Sequence, residues 1–283
     1  MTVIQAVVLG LVQGLTEFMP VSSSAHLIIV PWLFRWDDPG LVYDIALHLG
    51  TLAALLWYFR SDWLRLVRAG IASIKERIIG SDNDRRLAWF LVIATIPAAI
   101  IGWLAESKIE ELFHQPGAAH SAGAMTAMAI VIAALGAVLF IVERIAKRRR
   151  GLDQISLFDT IIIGLSQGLA IFPGVSRSGT TITAGLAVGL QREAAARFSF
   201  LLSTPIILSA GLKGILDLSG ETVGALAQAD WLSYTIGFIT AASSGYLCIK
   251  FLLRFLQQHS TDVFVYYRWA LAIVIIVVVF IRG

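Results

Sequence analysis

Apolar runs close to or longer than the roughly 18 residues that carry a helix across a bilayer recur along this chain, and they limit its folding options more than any other feature. Met125 to Val142, and Trp269 to Ile281 with its flanks, are the plainest. Hydrophobic residues make up 57% of the chain and charged residues 14%, against roughly 45–50% and about 25% in soluble domains. That polar complement is too small to cover a soluble core, so lipid is the expected solvent. Six segments are long enough to span, at about 41 to 59, 87 to 104, 122 to 142, 197 to 215, 231 to 251 and 265 to 281. The amino-terminal stretch lacks the basic region and cleavage site of a signal peptide and holds Gln13 and Glu17, so it is expected to stay in the mature protein. Cys248 is the single cysteine, which excludes an intramolecular disulfide or a cysteine metal cluster and leaves a packing role. The net charge is only +3, and a nucleic-acid role would need a basic face on a soluble module.

Loop charges orient the spans, because short loops rich in Lys and Arg stay cytoplasmic. The stretch from Arg60 to Arg86, the run Arg144 to Arg150, Arg192 with Arg197, and Lys250 with Arg254 are basic and belong inside. The stretches with Asp37 and Asp38, Glu106 to Glu111, and Asp217, Glu221 and Asp230 carry more acid than base and belong outside. The signs alternate consistently over the six spans. Two apolar pieces remain, residues 1 to about 36 and 157 to about 190, and each must end on the side where it began. Each is expected to be a re-entrant hairpin, the first entering from outside and the second from the cytoplasm. Pro20 interrupts one, and Pro173, Gly174 and Gly179 interrupt the other. Irregular backbone at membrane depth is tolerated only where protein or a watery cavity satisfies it.

The two pieces are copies. Gly10, Leu11, Gln13, Gly14, Leu15, Phe18, Val21, Ser22 and Ser24 match Gly164, Leu165, Gln167, Gly168, Leu169, Phe172, Val175, Ser176 and Ser178 at one constant offset. Copies entering from opposite faces make an inverted-topology repeat, with halves at roughly 1–143 and 155–283 of a single membrane domain, and such repeats bind ligands where their broken helices meet. The expected fold is therefore all-α: six transmembrane helices plus two re-entrant helical hairpins.

The first hairpin packs Glu17, Ser22, Ser23, Ser24 and His26 into an apolar stretch. An ionisable group inside a span costs about 2.5–3.5 kcal/mol even on the lenient scale, so it marks a functional site by default. The second hairpin reads Pro173-Gly174-Val-Ser176-Arg177-Ser178-Gly179-Thr180-Thr181. Its Gly and Ser residues let a turn expose backbone N–H groups beside a guanidinium, which is how a phosphate is held. Arg offers phosphate a planar, two-pronged donor that Lys lacks. One half thus supplies acid-base and nucleophilic groups and the other an oxyanion clamp, a division that fits phosphoryl transfer.

At these two segments the chain resembles the bacterial undecaprenyl-diphosphatase, or bacitracin-resistance, family. The resemblance rests on Gln13-Gly-Leu-Thr-Glu17-Phe-Met-Pro20-Val-Ser-Ser-Ser-Ala-His26 and on Pro173 to Thr181. It implies an enzyme that removes the terminal phosphate of undecaprenyl diphosphate on the periplasmic side of the bacterial inner membrane, recycling the carrier lipid for cell-wall synthesis. It implies a divalent cation, Mg or Ca. The family's motif glutamate falls on Glu17, its paired serines on Ser22 and Ser23, its histidine on His26, its arginine on Arg177, and its substrate-binding hydroxyls on Ser176, Ser178 and Thr181. Gln13, also expected to touch substrate, stands where some members have a second glutamate, which leaves Glu17 as the only carboxylate for a metal. The expected partners are the bilayer, the polyprenyl diphosphate and a second copy of the chain, with no nucleic acid.

Two versions of the chemistry remain open at this stage. In one, Ser23 or a neighbour attacks the terminal phosphorus, His26 is the base or leaving-group acid, Glu17 orients His26 or binds the cation, and Arg177 neutralises charge. In the other, His26 is the nucleophile. Plainer readings stand beside them: serines inside membrane helices also serve close helix approach, so Ser24, Ser176 and Ser178 admit a packing role as readily as a chemical one. Asp44 and His48 read as a helix-end pair. His114, His120 and His259 read as solvated loop residues, and Trp32, Trp36, Trp57, Trp63, Trp89, Trp103 and Trp231 as interfacial anchors. A lipid flippase or transporter is the alternative function, since inverted repeats are transporter architecture. A phosphatidic-acid-type phosphatase is disfavoured by the lack of a Lys-rich first motif.

Overall fold

The computed structural model describes residues 1–113, 121–216 and 230–282, with no account of the side chains of 105–113 and 215–216. His114, His120, Asp217 and Glu221 lie outside the described residues, as do the side chains of Glu106 to Glu111. Among the described residues the regular structure is helical, apart from one isolated bridge between Arg150 and Leu190.

Six helices are long and apolar enough to cross a membrane, and the protein is a multi-pass membrane protein. They are α3 (Leu41–Tyr58), α5 (Asn83–Phe113), α6 (Ala122–Ile145), α9 (Arg192–Leu216), α10 (Trp231–Gln258) and α11 (Asp262–Arg282). Each overlaps an expected span; α5, α9 and α11 begin earlier because their charged first turns are helical too. Their outer faces carry Val92, Ile100, Ile130, Leu247 and Ile273 exposed, as lipid contact requires.

The remaining apolar helices are too short to cross. In the first piece α1 (Val3–Thr16) has 14 residues and α2 (Ser23–Phe34) has 12. At 1.5 Å per residue these reach about 21 and 18 Å against a hydrocarbon core of about 30 Å. In the second, α7 (Leu157–Gly168) has 12 and α8 (Arg177–Ala187) has 11. The breaks coincide with Pro20 and with Pro173 and Gly174, whereas Gly179, expected to interrupt the second piece, lies inside α8; at each break the chain turns through a serine with positive φ, Ser22 at 77° and Ser176 at 75°. Such a conformation costs a non-glycine residue about 1–3 kcal/mol and persists only where its surroundings enforce it.

Both ends of the first piece adjoin one end of the bundle. The Tyr43 hydroxyl, near the start of α3, donates to the Ala6 carbonyl at 3.2 Å, and Arg282, at the end of α11, donates to the Trp32 and Leu33 carbonyls. Both ends of the second piece adjoin the other: Arg150 holds Asp159 through two bonds and donates to the Val188 carbonyl at 3.2 Å. The basic segments converge there as well. Asp62 accepts from Arg197 at 2.9 Å, and buried Glu143 accepts from Arg148, Arg192 and Thr261.

Repeated glycines explain the pairing of helices. A Cβ on Gly14 would lie 2.6 Å from the Ala241 carbonyl, and one on Gly164 2.7 Å from that of Ala94. Thus α1 packs backbone to backbone on α10 and α7 on α5, so each hairpin docks on the opposite half. One element departs from expectation. The basic stretch after α3 is not a loop but holds α4 (Arg60–Glu76), with Leu66 and Ser73 buried and Leu64, Val67, Ile71 and Ile74 exposed. Its apolar residues recur at helical period among charges, the pattern of a helix lying in the interface plane. Trp32 is 9% exposed and packs in a core with Met125 and Ile275.

Candidate active site

Breaking a helix frees the N–H groups of the next helix's first turn, and those positive ends attract anions. Here each first turn is capped by the positive-φ serine: Ser22 Oγ accepts from the Ala25 N–H at 3.4 Å and Ser176 Oγ from the Gly179 N–H at 3.0 Å. The copies match in detail, with Ser22 and Ser24 hydroxyls 3.3 Å apart and those of Ser176 and Ser178 also 3.3 Å apart.

Glu17, at the end of α1, joins the two tips. Its Oε2 accepts from Ser23 Oγ at 2.6 Å and from Gln13 Nε2 at 3.1 Å, and its Oε1 accepts from Arg177 Nη2 at 3.0 Å. Ser23 and Arg177 are the first residues of α2 and α8 and occupy equivalent positions in the two copies. Arg177 also donates through Nη1 to the Ser199 carbonyl at 3.2 Å and is held by the Glu17 carbonyl at 3.5 Å. Its Nε is buried with no hydrogen-bond partner among the described residues. An arginine donor left open beside two helix starts is a place for an oxyanion.

The other candidates divide. Ser178 Oγ donates to the Met19 carbonyl at 2.8 Å, fastening one tip to the other. Thr181 donates back to the Arg177 carbonyl at 2.8 Å and meets Ser199 Oγ at 2.6 Å, a supporting position behind the arginine. His26 is turned away from Glu17. Its Nδ1 lies 2.6 Å from the Ser22 carbonyl, which only accepts, so Nδ1 carries the proton and donates. Its Nε2 lies 2.6 Å from the Tyr267 hydroxyl, which donates to the neutral ring. The version in which Glu17 orients His26 is corrected accordingly: the orienting groups are Ser22 and Tyr267. His48, read as half of a helix-end pair with Asp44, bonds the Asp44 carbonyl at 2.8 Å through Nδ1 and also brings Nε2 to 3.7 Å from Glu17. His48, Tyr267 and Ser199 were not legible as site residues, because nothing local to α3, α9 or α11 points toward the hairpins. Cys248 is buried, as a packing residue should be.

Beside Arg177 lies a mostly apolar cavity of about 580 Å³, lined among others by Trp103, Gln167, Gly168, Ile206, Arg177 and Lys213. Gln167 is 3% exposed and neither atom of its amide has a hydrogen-bond partner among the described residues. The space suits a charged head with an apolar chain.

The residues present do not fit a cation held by the protein. Both Glu17 oxygens already accept from Arg177, Ser23 and Gln13, and the Arg177 guanidinium at 3.0 Å already supplies the positive charge beside the carboxylate. Among the described residues no three His, Cys, Asp or Glu side chains gather to bind one.

The family described as "Bacitracin resistance protein BacA" matches residues 6–274. A protein of Moorella thermoacetica named undecaprenyl-diphosphatase is 47% identical over 282 residues, covering 100% of each chain. Proteins of the same name from Thermomicrobium roseum and Caldicellulosiruptor bescii are 46% and 45% identical, covering 99% and 100% of each chain.

Proposed function

The chain belongs to the bacitracin resistance protein family, and from that premise we propose that it is a membrane phosphatase. It hydrolyses undecaprenyl diphosphate to undecaprenyl phosphate and inorganic phosphate, returns the carrier lipid to cell-wall synthesis and confers bacitracin resistance. The observation that carries this reading is the bridge at Glu17: one carboxylate accepts from a serine on one tip and an arginine on the other, with an unpartnered guanidinium N–H beside them.

The bridge suggests a sequence of steps. Glu17 Oε2 takes the Ser23 proton along their 2.6 Å hydrogen bond as Ser23 Oγ forms a bond to the terminal phosphorus. The bond from that phosphorus to the bridging oxygen breaks, releasing the lipid monophosphate. Arg177 Nε and the starts of α2 and α8 meet the charge that builds on the phosphoryl oxygens. Water then attacks the phosphoserine phosphorus as the bond to Ser23 Oγ breaks: Glu17 returns its proton to Ser23 Oγ, both hydrogens of the water leave on the inorganic phosphate, and Ser23 and the Glu17 carboxylate are restored. His26 Nε2 is covered by Tyr267, which favours Ser23 over His26 as nucleophile. His26 serves by fixing the Ser22 carbonyl and thereby the turn into α2. The cation implied by the family has no protein-built site here, and no step runs through it.

In this reading the hairpins re-enter from opposite leaflets and the site opens to the periplasmic side of the bacterial inner membrane. The hairpin ends support the first part. The cavity supports the second, since Leu41 at the start of α3 and Lys213 near the end of α9 line it beside acidic segments, and Trp103 lines it just before Glu106 in α5.

The test is phosphate release from a C55 diphosphate by purified wild type and by Glu17→Ala, Ser23→Ala, His26→Ala and Arg177→Ala. An active wild type with equally active Glu17 and Arg177 variants would place the site elsewhere. Lipid exchange between leaflets without phosphate release would favour a flippase.

A further inference from the structure

Arg268, on α11, is the largest fully buried side chain, at 1% exposed. Its Nε donates to the Ile132 carbonyl at 2.9 Å. Its Nη1 donates to Pro20 at 3.1 Å and Val175 at 3.4 Å, and its Nη2 to Gly174 at 3.1 Å and Val175 at 3.4 Å, all backbone carbonyls. Pro20 and Gly174 are equivalent positions of the two copies. One guanidinium from a helix outside both hairpins therefore grips both tips at matching points. Its hydrogen-bond partners among the described residues are carbonyls and no carboxylate, although a buried cation is costly and an apolar residue could fill the space.

What it grips is the backbone just before the reacting groups. The turn through Pro20 and Val21 leads to Ser22 and Ser23, and the turn through Gly174 and Val175 leads to Ser176 and Arg177. Ser23 and Arg177 reach the same carboxylate at 2.6 and 3.0 Å only if the two turns keep their relative placement.

We infer that Arg268 is a positioning residue for the reaction: its planar fork fixes the two hairpin tips against each other and so sets Ser23 and Arg177 around one phosphoryl group. The inference rests on the phosphatase reading above. Arg268 touches neither Glu17 nor Ser23 and acts through the backbone of the tips. Lysine would carry the charge but presents a single point of donors, which cannot span carbonyls on two separate turns.

The experiment compares wild type, Arg268→Lys and Arg268→Gln, each isolated as a monodisperse folded species in detergent, for kcat and KM per folded molecule with C55 diphosphate. Misplacement of reacting groups by about 1 Å costs roughly 100-fold, so kcat is expected to fall by about that factor in both variants while KM stays within about threefold. Lysine restoring kcat to within about tenfold overturns the inference, since charge alone would then suffice. So does a variant with lower folded yield but wild-type kcat per folded molecule, which marks a purely structural role. A rise in KM beyond about threefold would put Arg268 on the substrate and overturn it too. Should neither variant fold, Gly174→Ala decides with Arg268 intact. Its φ is +94°, which a residue with a Cβ rarely adopts, and that Cβ would lie 3.2 Å from Met128 Cγ and 3.3 Å from the Met128 carbonyl, so the turn is strained where Arg268 holds it. The same fall in kcat at constant KM is expected, and wild-type kcat overturns the inference. A wild type that releases no phosphate overturns the phosphatase reading itself, and the inference with it.

Discussion

Glu17→Gln changes one atom of the carboxylate and keeps its shape, so it isolates the chemistry assigned to that group. Three donors converge on Glu17: Ser23 at 2.6 Å and Gln13 at 3.1 Å on one oxygen, Arg177 at 3.0 Å on the other. A carboxamide has one acceptor oxygen, so in either orientation its NH₂ faces a donor, and it cannot take the Ser23 proton. Removing a general base costs about 10²–10⁴ in rate, which at 1.36 kcal/mol per decade is about 2.7–5.4 kcal/mol of transition-state stabilisation. We expect kcat to fall about 10³-fold, with a much smaller change in KM. Stability should fall as well. Arg177 is 11% exposed and loses its counter-charge. Breaking a buried pair costs about 3–5 kcal/mol, and the bonds Arg177 keeps to the Ser199 and Glu17 carbonyls put this case at about 3 kcal/mol. Phosphate release and thermal unfolding in detergent measure the two effects separately. The decisive comparison is the Glu17→Gln/Ser23→Ala double variant. If Glu17 acts through Ser23, it is no slower than Ser23→Ala alone, because groups that act as a unit are not additive. Losses that multiply, or a Glu17→Gln enzyme with kcat within about tenfold of wild type, refute the assignment.

Rapid acid quenching during turnover should trap a phosphoenzyme stable to acid and labile to hydroxide; the opposite lability would transfer the nucleophile's role to His26. Gly14→Ala should lower the melting temperature more than Gly168→Ala. The new Cβ at 14 meets Ser244 Oγ at 2.0 Å and the Ala241 carbonyl at 2.6 Å, whereas at 168 it meets chiefly the terminal methyl of Ile101 at 2.2 Å. Overpacking of this kind costs about 1–3 kcal/mol, and the reverse order would mean that α7, not α1, is the tighter contact. Gln13→Glu sets a second carboxylate beside Glu17, where like charges need a cation between them. Phosphate release by that variant should therefore depend more steeply on added Mg²⁺ than wild type does, and an unchanged dependence would show that the cation, where present, meets only the substrate.

The amino-acid sequence alone determined how this chain partitions. Runs such as Met125 to Val142 are apolar enough to enter lipid whatever they pack against, and Pro20 and Pro173 with Gly174 fall where helices end, although Pro31, Pro97 and Pro205 sit inside α2, α5 and α9. Glu17 and Arg177 were legible for the same reason, since an ionisable group in an apolar run carries its cost locally. The tertiary structure decided who meets whom. It gave Glu17 to Ser23 and Arg177 rather than to His26, turned His26 to Tyr267, brought His48 to the edge of the site, and put Arg268 between the tips. Transfer into lipid is a sum over neighbours in the chain and can be read along it. Hydrogen bonds between residues as distant in the chain as Glu17 and Arg177 depend on how the helices pack, and no stretch of sequence holds that information by itself.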